Sequence, residues 1–468
     1  MAQVYPENPS AVASGSLTLR VSTTAPLFRV DFYRQGASLI PMGHLGVSSN
    51  PGHESPLHPS DQDWGAEGQD SNGRPLAAWQ GYDFQIPGDW LPGAYIAMVT
   101  ELDQGGFPTS SPDATTPDGR DAKALFVVKS SAPGTHGSIL YKLPLLTYHA
   151  YNAAGDPPTC FYNGADVVSI RRPGGGTGGS PYDAERYPDV YDQSSPRETF
   201  AHWDAPFIAW LESNGYQVEY CTDLDLHTGK RDFLAPYRLL LSVGHDEYWT
   251  PQMRANASAF VAGGGNLAFF SGNVAWRQVA FADDNVKFRI AGLWYELGPP
   301  ENTLTGVSYR NGGGQWDGPR PTVIGYTVQH ADSWVYQGSD LKDGDVFGDF
   351  YGGDPAQPAA LVGYECDGAR FDRQQLGQGG AIEPTHEDST PDGFVILGIG
   401  DLTGWQDFPA AGPGTGNLAA TMGYFVNEGT VFTSGTSDWS RVLSSGQAPS
   451  VETITRNVID SLSRPPHP

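Results

Sequence analysis

Residues Leu239–Trp249 read LLLSVGHDEYW, and the way this stretch folds decides the architecture. Leu239–Val243 is almost continuously apolar, without the alternation of a half-exposed strand. It therefore reads as a strand buried on both faces, as in a parallel sheet covered by helices. Thr250–Pro251 then supplies an N-cap with proline at the first helical position. Pro251–Ala262 is the helix, and Gly263–Gly265 stops it. His245–Trp249 thus forms a tight strand-to-helix turn, in which a carboxylate facing the helix N-terminus is favoured in its ionised form.

The same rhythm continues on either side. Ala201–Asn214 (AHWDAPFIAWLESN) reads as a helix ended by Gly215, followed by strands at Tyr216–Cys221, Arg238–Val243 and Asn266–Ser271. Strand Gly429–Ser434 and an amphipathic helix, Val451–Leu462, close the chain. Strands alternating with helices predict a parallel sheet with right-handed crossovers. The β- and loop-rich stretch from about residue 299 to 406 reads as an insertion within this α/β domain, which spans 134–468.

Before it, the chain reads as all-β. Ser16–Val21, Phe28–Arg34, Gly81–Ile86, Ala94–Thr100 and Ala124–Val128 are short apolar or alternating runs separated by Gly-, Pro-, Ser- and Asp-rich loops, the pattern of a β-sandwich over residues 1–133. Two loops are long, roughly Gly43–Pro75 and Asp103–Asp121. The joint lies near Ser130–His136 (SSAPGTH).

Composition narrows the function classes. With 27 basic and 53 acidic residues the net charge is −26, which repels a phosphate backbone and makes nucleic acid and anionic membranes poor partners. No apolar run reaches the roughly 18 residues of a spanning helix. MAQVYPENPSAVASG lacks a basic segment followed by an apolar core, so a cytoplasmic location is expected. Cys160, Cys221 and Cys366 are three in number with no CxxC spacing, which suits a reducing compartment.

Ligands of open parallel sheets bind beyond the carboxyl ends of the strands. Four such ends carry chemistry: TYHAYN (Thr147–Asn152), CTDLDLH (Cys221–His227), GHDEYW (Gly244–Trp249) and SGN (Ser271–Asn273). Polar turns that cap helices are common, but this one ends the most apolar strand of the domain beside two aromatics, which marks His245 and Glu247 as the leading candidates. His149, His202, His227 and His245 lack HExxH spacing, although zinc on His149, His245 and Glu247 is an alternative. Cys221 reads as a buried small hydrophobe sooner than as a nucleophile. No GxSxG elbow exists, and GGGTGG (Gly174–Gly179) lacks the Lys-Ser/Thr of a phosphate loop.

TYHAYN, SIRRP (Ser169–Pro173), TDLDLH, SVGHDEYW and AFFSGN occur in the order and approximate spacing of the catalytic domain of the N,N-dimethylformamidase large (beta) subunit. GYE (Gly363–Glu365) and GTSDWS near the C-terminus also resemble that family, and the similarity spans roughly His136–Arg464. The resemblance implies an immunoglobulin-like or lectin-like sandwich joined to a glutamine-amidotransferase-like α/β domain. It also implies a mononuclear Fe(III) site held by two tyrosinates and a carboxylate, hydrolysing a small non-peptide amide. On this sequence the carboxylate maps to Glu247 and one tyrosine to Tyr151. His245 becomes an acid/base, Asn273 a substrate-positioning residue, and Glu365 a further orienting group.

The family pattern places the second tyrosine close after the Arg-Pro of SIRRP. Here Pro173 is followed by Gly174, and the next tyrosine is Tyr182, with Tyr148 and Tyr191 as substitutes. Hard anionic oxygens suit a ferric ion, which would polarise an amide carbonyl and acidify a water. Tyr148, Trp249, Phe270 and Trp276 are expected to line the pocket. A homo-oligomer is expected, and a separate small subunit is implied by the family. The rival reading is a non-catalytic carbohydrate- or protein-binding chain that has lost its metal; metal content separates the two.

Overall fold

The structure is a computed structural model, and it describes residues 2–23, 25–49, 79–110, 122–154, 160–178, 197–230, 232–282, 285–315, 324–349, 360–378, 380–405 and 417–464. Tyr182 and Tyr191 lie outside these residues, as does much of both long loops.

The first 130 residues form two sheets. Five strands pair in the order Ser10–Val12, Lys123–Lys129, Gly93–Leu102, Leu27–Gln35, Leu39–Ser49, and three in the order Gln3–Pro6, Ser16–Ser22, Gly81–Gln85. All five strands read from the sequence are present, shifted by a residue or two. Phe28, Val30 and Phe32 point with Leu17, Leu19, Tyr95 and Phe126 into one core between the sheets. Gly93–Leu102 is buried along its whole length because it faces two cores: Tyr95, Ala97 and Val99 look inward, while Ala94 and Ile96 join the core of the following α/β region. Polar ties cross the same seam: Arg34 pairs with Glu212, Lys129 with Asp225, and Arg171 Nε donates to the Glu7 carbonyl at 2.9 Å.

A nine-stranded sheet dominates the rest. Val218–Thr222, Ile139–Leu143, Leu239–His245, Asn266–Gly272 and Gly429–Thr433 are parallel neighbours in that order. Ala419–Asn427, Val395–Asp401, Tyr326–Val328 and Val346–Phe347 then continue the sheet antiparallel. The expected parallel sheet is therefore its first half only. The segment 299–406 supplies three of the antiparallel strands, because its apolar β runs bury themselves by extending the existing sheet.

Leu239–His245 is buried at every position, as its unbroken apolar run predicts. Leu239, Leu241 and Val243 enter one core with Ala268 and Phe270, and Leu240 enters the other with Leu267 and Phe269. Period-two alternation thus divides one strand between two cores. Pro251–Ala262 is the helix expected, with Thr250 Oγ1 accepting from the Met253 amide at 3.2 Å.

TYHAYN departs from expectation. It lies on a helix, Leu145–Tyr151, rather than at a strand end. Pro144 gives that helix no side-chain cap, and the need is met across the fold: Asp223 Oδ2 accepts from the Leu146 amide at 2.8 Å. TDLDLH likewise forms a short helix, Asp223–Thr228, capped by Thr222. Among the described residues no helix is long and apolar enough to cross a membrane.

Candidate active site

Leu239–His245 ends in a bend. Gly244 has φ +74°, and a Cβ there would sit 2.4 Å from the Trp203 Cβ, so glycine is required for the chain to leave the sheet at His245. Ser271–Trp276 turns over in parallel beside it. The Ala275 amide donates to the Asp246 carbonyl at 2.9 Å and the Arg277 amide to the Glu247 carbonyl at 3.0 Å. A Cβ on Gly272 would meet the Glu365 carbonyl at 2.4 Å and the Ser437 nitrogen at 2.5 Å. At that crossing the GYE and GTSDWS segments meet, with the Ser437 amide donating to the Glu365 carbonyl at 3.1 Å.

Two clusters form on this frame. In the first, Tyr151 Oη donates to Glu247 Oε2 at 2.9 Å. Tyr162 Oη donates to Tyr151 Oη at 2.6 Å, lies 3.3 Å from Glu247 Oε2 and 2.9 Å from Tyr248 Oη. The Tyr151 and Tyr162 rings stack at 4.1 Å. Burial pushes the Glu247 carboxyl up to about 7; His245 and Arg277 pull it down and Glu365 adds to the rise. The ionised carboxylate expected at a helix start is thus opposed by desolvation. Burial, reinforced by Glu247, also holds both phenols well above their ordinary range.

In the second cluster, His245 Nδ1 faces both oxygens of Glu198 at 2.8 and 3.0 Å, and Nε2 lies 2.6 Å from Glu365 Oε2. Burial alone would lower the imidazole, but these two carboxylates outweigh it and hold the ring well above its usual range. Asn273 Nδ2 donates to Glu365 Oε2 at 3.2 Å, and Asn273 Oδ1 is buried without a partner. Asn273 has φ +52°, a conformation asparagine tolerates. It is pinned by Asp367, which accepts from the Asn273 and Val274 amides at 3.0 and 3.1 Å. The clusters touch, with His245 Nε2 3.5 Å from Glu247 Oε2.

The structure therefore brings together Tyr151, His245, Glu247, Asn273 and Glu365. Sequence reading missed Tyr162, Glu198 and Arg277. Tyr162 stands eleven positions after Tyr151, where its preceding Cys160-Phe161 gave no motif, and Glu198 lies in an unremarkable PRET run. The zinc set is not assembled. His149 packs against Gly175 and leaves Nδ1 buried without a partner, while His245 spends both nitrogens on carboxylates. Among the described residues no group of three or more His, Cys, Asp or Glu is arranged for a metal ion.

The expected pocket lining is corrected too. Phe270 packs on Phe207, Phe432 and Trp439. Trp249 lies beneath the Lys142 ammonium, and Tyr148 donates to Asp204. These three are buried core side chains: Phe270 on a strand covered on both faces, Tyr148 on the helix Leu145–Tyr151, and Trp249 in the short strand Tyr248–Trp249. Trp276, 6% exposed, packs against the tilted ring of Tyr295 and edge-to-face with Tyr309. Cys221 is fully buried, and burial raises its thiol well above its ordinary value, so it behaves as a small hydrophobe.

A mixed α/β chain with extensive sheets and a buried phenol–carboxylate–imidazole centre is the class that fold and site define. Residues 27–452 match the family described as N,N-dimethylformamidase beta subunit-like, C-terminal, and the chain belongs to that family. The match begins inside the first β region, well before the motif resemblance does. The chain is 26% identical over 315 residues to the N,N-dimethylformamidase beta subunit of Paracoccus aminophilus, and 26% identical over 322 residues to that of an Alcaligenes species. Each alignment covers 60% of this chain and 40% of the relative, so the matched region spans well under half of either relative. A solved family 76 glycoside hydrolase from a bovine Bacteroides thetaiotaomicron strain aligns with 36% of this chain and 30% of its own, at 10% identity and a TM-score of 0.15; that likeness carries no structural argument.

Proposed function

We propose that this chain hydrolyses a small, non-peptide amide at a mononuclear ferric site held by Tyr151, Tyr162 and Glu247. One observation carries the reading: three oxygens, Tyr151 Oη, Tyr162 Oη and Glu247 Oε2, converge within 2.6–3.3 Å of one another in a buried site. The donor set fits the ion, because hard oxygen ligands suit a hard cation. Phenols held neutral by burial would give up their protons to it. Tyr162 takes the place first given to Tyr182, since it already lies in the cluster. When bound, the ion would supply carbonyl polarisation and an acidified water.

The chain's own groups account for the proton traffic. Water adds to the acyl carbon, the C–N bond breaks, and a carboxylic acid and an amine leave. Glu365 is placed to accept a proton from that water, and His245 Nε2–H, 2.6 Å away, to deliver one to the departing nitrogen. Glu198 holds the ring so that Nε2 faces the reaction. Asn273 Nδ2 steadies Glu365, and its unpartnered Oδ1 is available to substrate or water. The named relatives are beta subunits, so a separate small subunit is part of this reading. We also place the two-sheet region of residues 1–133 as a sandwich domain and 134–468 as the catalytic one.

The test is a hydrolysis screen over formamides, simple amides and ureas, run on wild type and Tyr162→Phe. Amide turnover that drops at least about 100-fold in the variant supports the reading. Turnover untouched by the change removes Tyr162 from the site, and no turnover of any amide overturns the activity.

A further inference from the structure

Arg277 opens the strand Arg277–Phe281 and sits at the outer edge of the phenol–carboxylate cluster. Its Nε lies 3.4 Å from Glu247 Oε1, yet its side chain is 35% exposed where that of Glu247 is 3%. Nε is buried and makes no hydrogen bond, and among the described residues nothing accepts from the guanidinium. The group faces Glu247, Tyr248, Tyr162 and Tyr151.

An arginine beside a buried glutamate is often no more than its counter-ion. This molecule shows what a satisfied pair looks like: Arg34 sets two nitrogens on both oxygens of Glu212. Arg254 likewise spends its fork on the Pro299 and Pro300 carbonyls and Thr303. Arg277 instead approaches Glu247 by Nε, 3.4 Å away and without a hydrogen bond. Its terminal donors have no acceptor among the described residues, and the side chain is partly exposed. A planar fork with open donors matches a carboxylate bidentately.

We propose that Arg277 receives a carboxylate carried by the substrate, so that the substrate class is small amides bearing an anionic group, such as N-acylated amino acids. This rests on the amide-hydrolase reading for its chemistry but on Arg277 alone for its selectivity. The net charge of −26 repels anions at long range, so the preference must come from this short contact.

N-formylglycine and its neutral counterpart N-formylglycinamide, nearly equal in size, separate the possibilities. Calorimetry gives the affinity of each for wild type, Arg277→Gln and Arg277→Lys, and released formate gives the rates. Wild type should bind N-formylglycine about tenfold or more tighter. Arg277→Gln should erase that ratio, and Arg277→Lys should keep part of it. Equal binding of both ligands, no binding of either, or an unchanged ratio in Arg277→Gln overturns the proposal. If Arg277→Gln does not fold, the Arg277→Lys ratio decides: a value equal to wild type counts against the bidentate contact. Preferential binding without formate release would instead sink the hydrolase reading and leave the anion site standing. Release from the neutral ligand with no binding preference would do the reverse.

Discussion

Asp246 and Glu247 are neighbours in one turn, both buried, and their surroundings are opposites. Asp246 belongs to a closed set: Lys142 Nζ lies 2.8 Å from it and 2.6 Å from Asp223, and Ser242 Oγ donates to it at 2.6 Å. Lys142 is itself fully buried, and its two carboxylates outweigh the burial that would discharge it. Glu247 has neutral phenols, an imidazole shared with Glu198 and Glu365, and an arginine 3.4 Å away that makes no hydrogen bond to it. A buried carboxylate with its own hydrogen-bonded ammonium is a structural device, whereas one surrounded by proton donors and with no hydrogen-bonded cation of its own is poised to take one. Through Asp223 the closed set also caps the helix that carries Tyr151, so the satisfied half holds the unsatisfied half in place.

Breaking the closed half should have the largest effect. Lys142→Met strands two carboxylates in the core and should cost about 3–5 kcal/mol, read by urea unfolding; a loss below about 1 kcal/mol would mean the triad is solvated. Glu247→Gln should behave oppositely, with stability changed by less than about 1.5 kcal/mol while amide turnover falls at least about 100-fold. If stability and turnover fell together in both variants, the distinction between the halves would be lost. Glu198→Gln keeps the shape beside His245 but weakens its orientation, and should lower kcat about 10- to 100-fold with little change in KM.

The smallest effect concerns pH and a third buried acid. Asp204 accepts from Tyr141 at 2.7 Å and from Tyr148, and burial pushes it up to about 7. An acid raised on folding contributes stability that is complete below its unfolded value near 3.9 and is lost as pH rises through 7. Asp204→Asn should therefore lose less Tm than wild type between pH 5 and 8. Parallel curves would place the pH dependence elsewhere.

The sequence made legible what depends on local pattern. Leu239–Val243 announced a doubly buried strand, and Thr250–Pro251 located the next helix to the residue. Motif order then brought out Tyr151, His245, Glu247, Asn273 and Glu365, which the structure gathers. What stayed hidden depends on distance in the chain. The helix under TYHAYN is capped from Asp223, 77 positions away, so no local signal marks its start. Tyr162 and Glu198 reach the site only through tertiary packing. The ionised state expected of Glu247 rested on a helix terminus, and desolvation, invisible to spacing, pushes the other way. The pocket-lining aromatics failed for a related reason: residue type suggested a cavity wall, while strand alternation sent Phe270 into the core.

The central claim is that the phenol–carboxylate cluster holds iron, and metal analysis with visible absorption of protein purified from iron-replete cells tests it most directly. Near-stoichiometric iron and a coloured sample with a phenolate-to-iron band are expected, both lost in Glu247→Ala. A colourless, iron-free wild type that folds normally would contradict it.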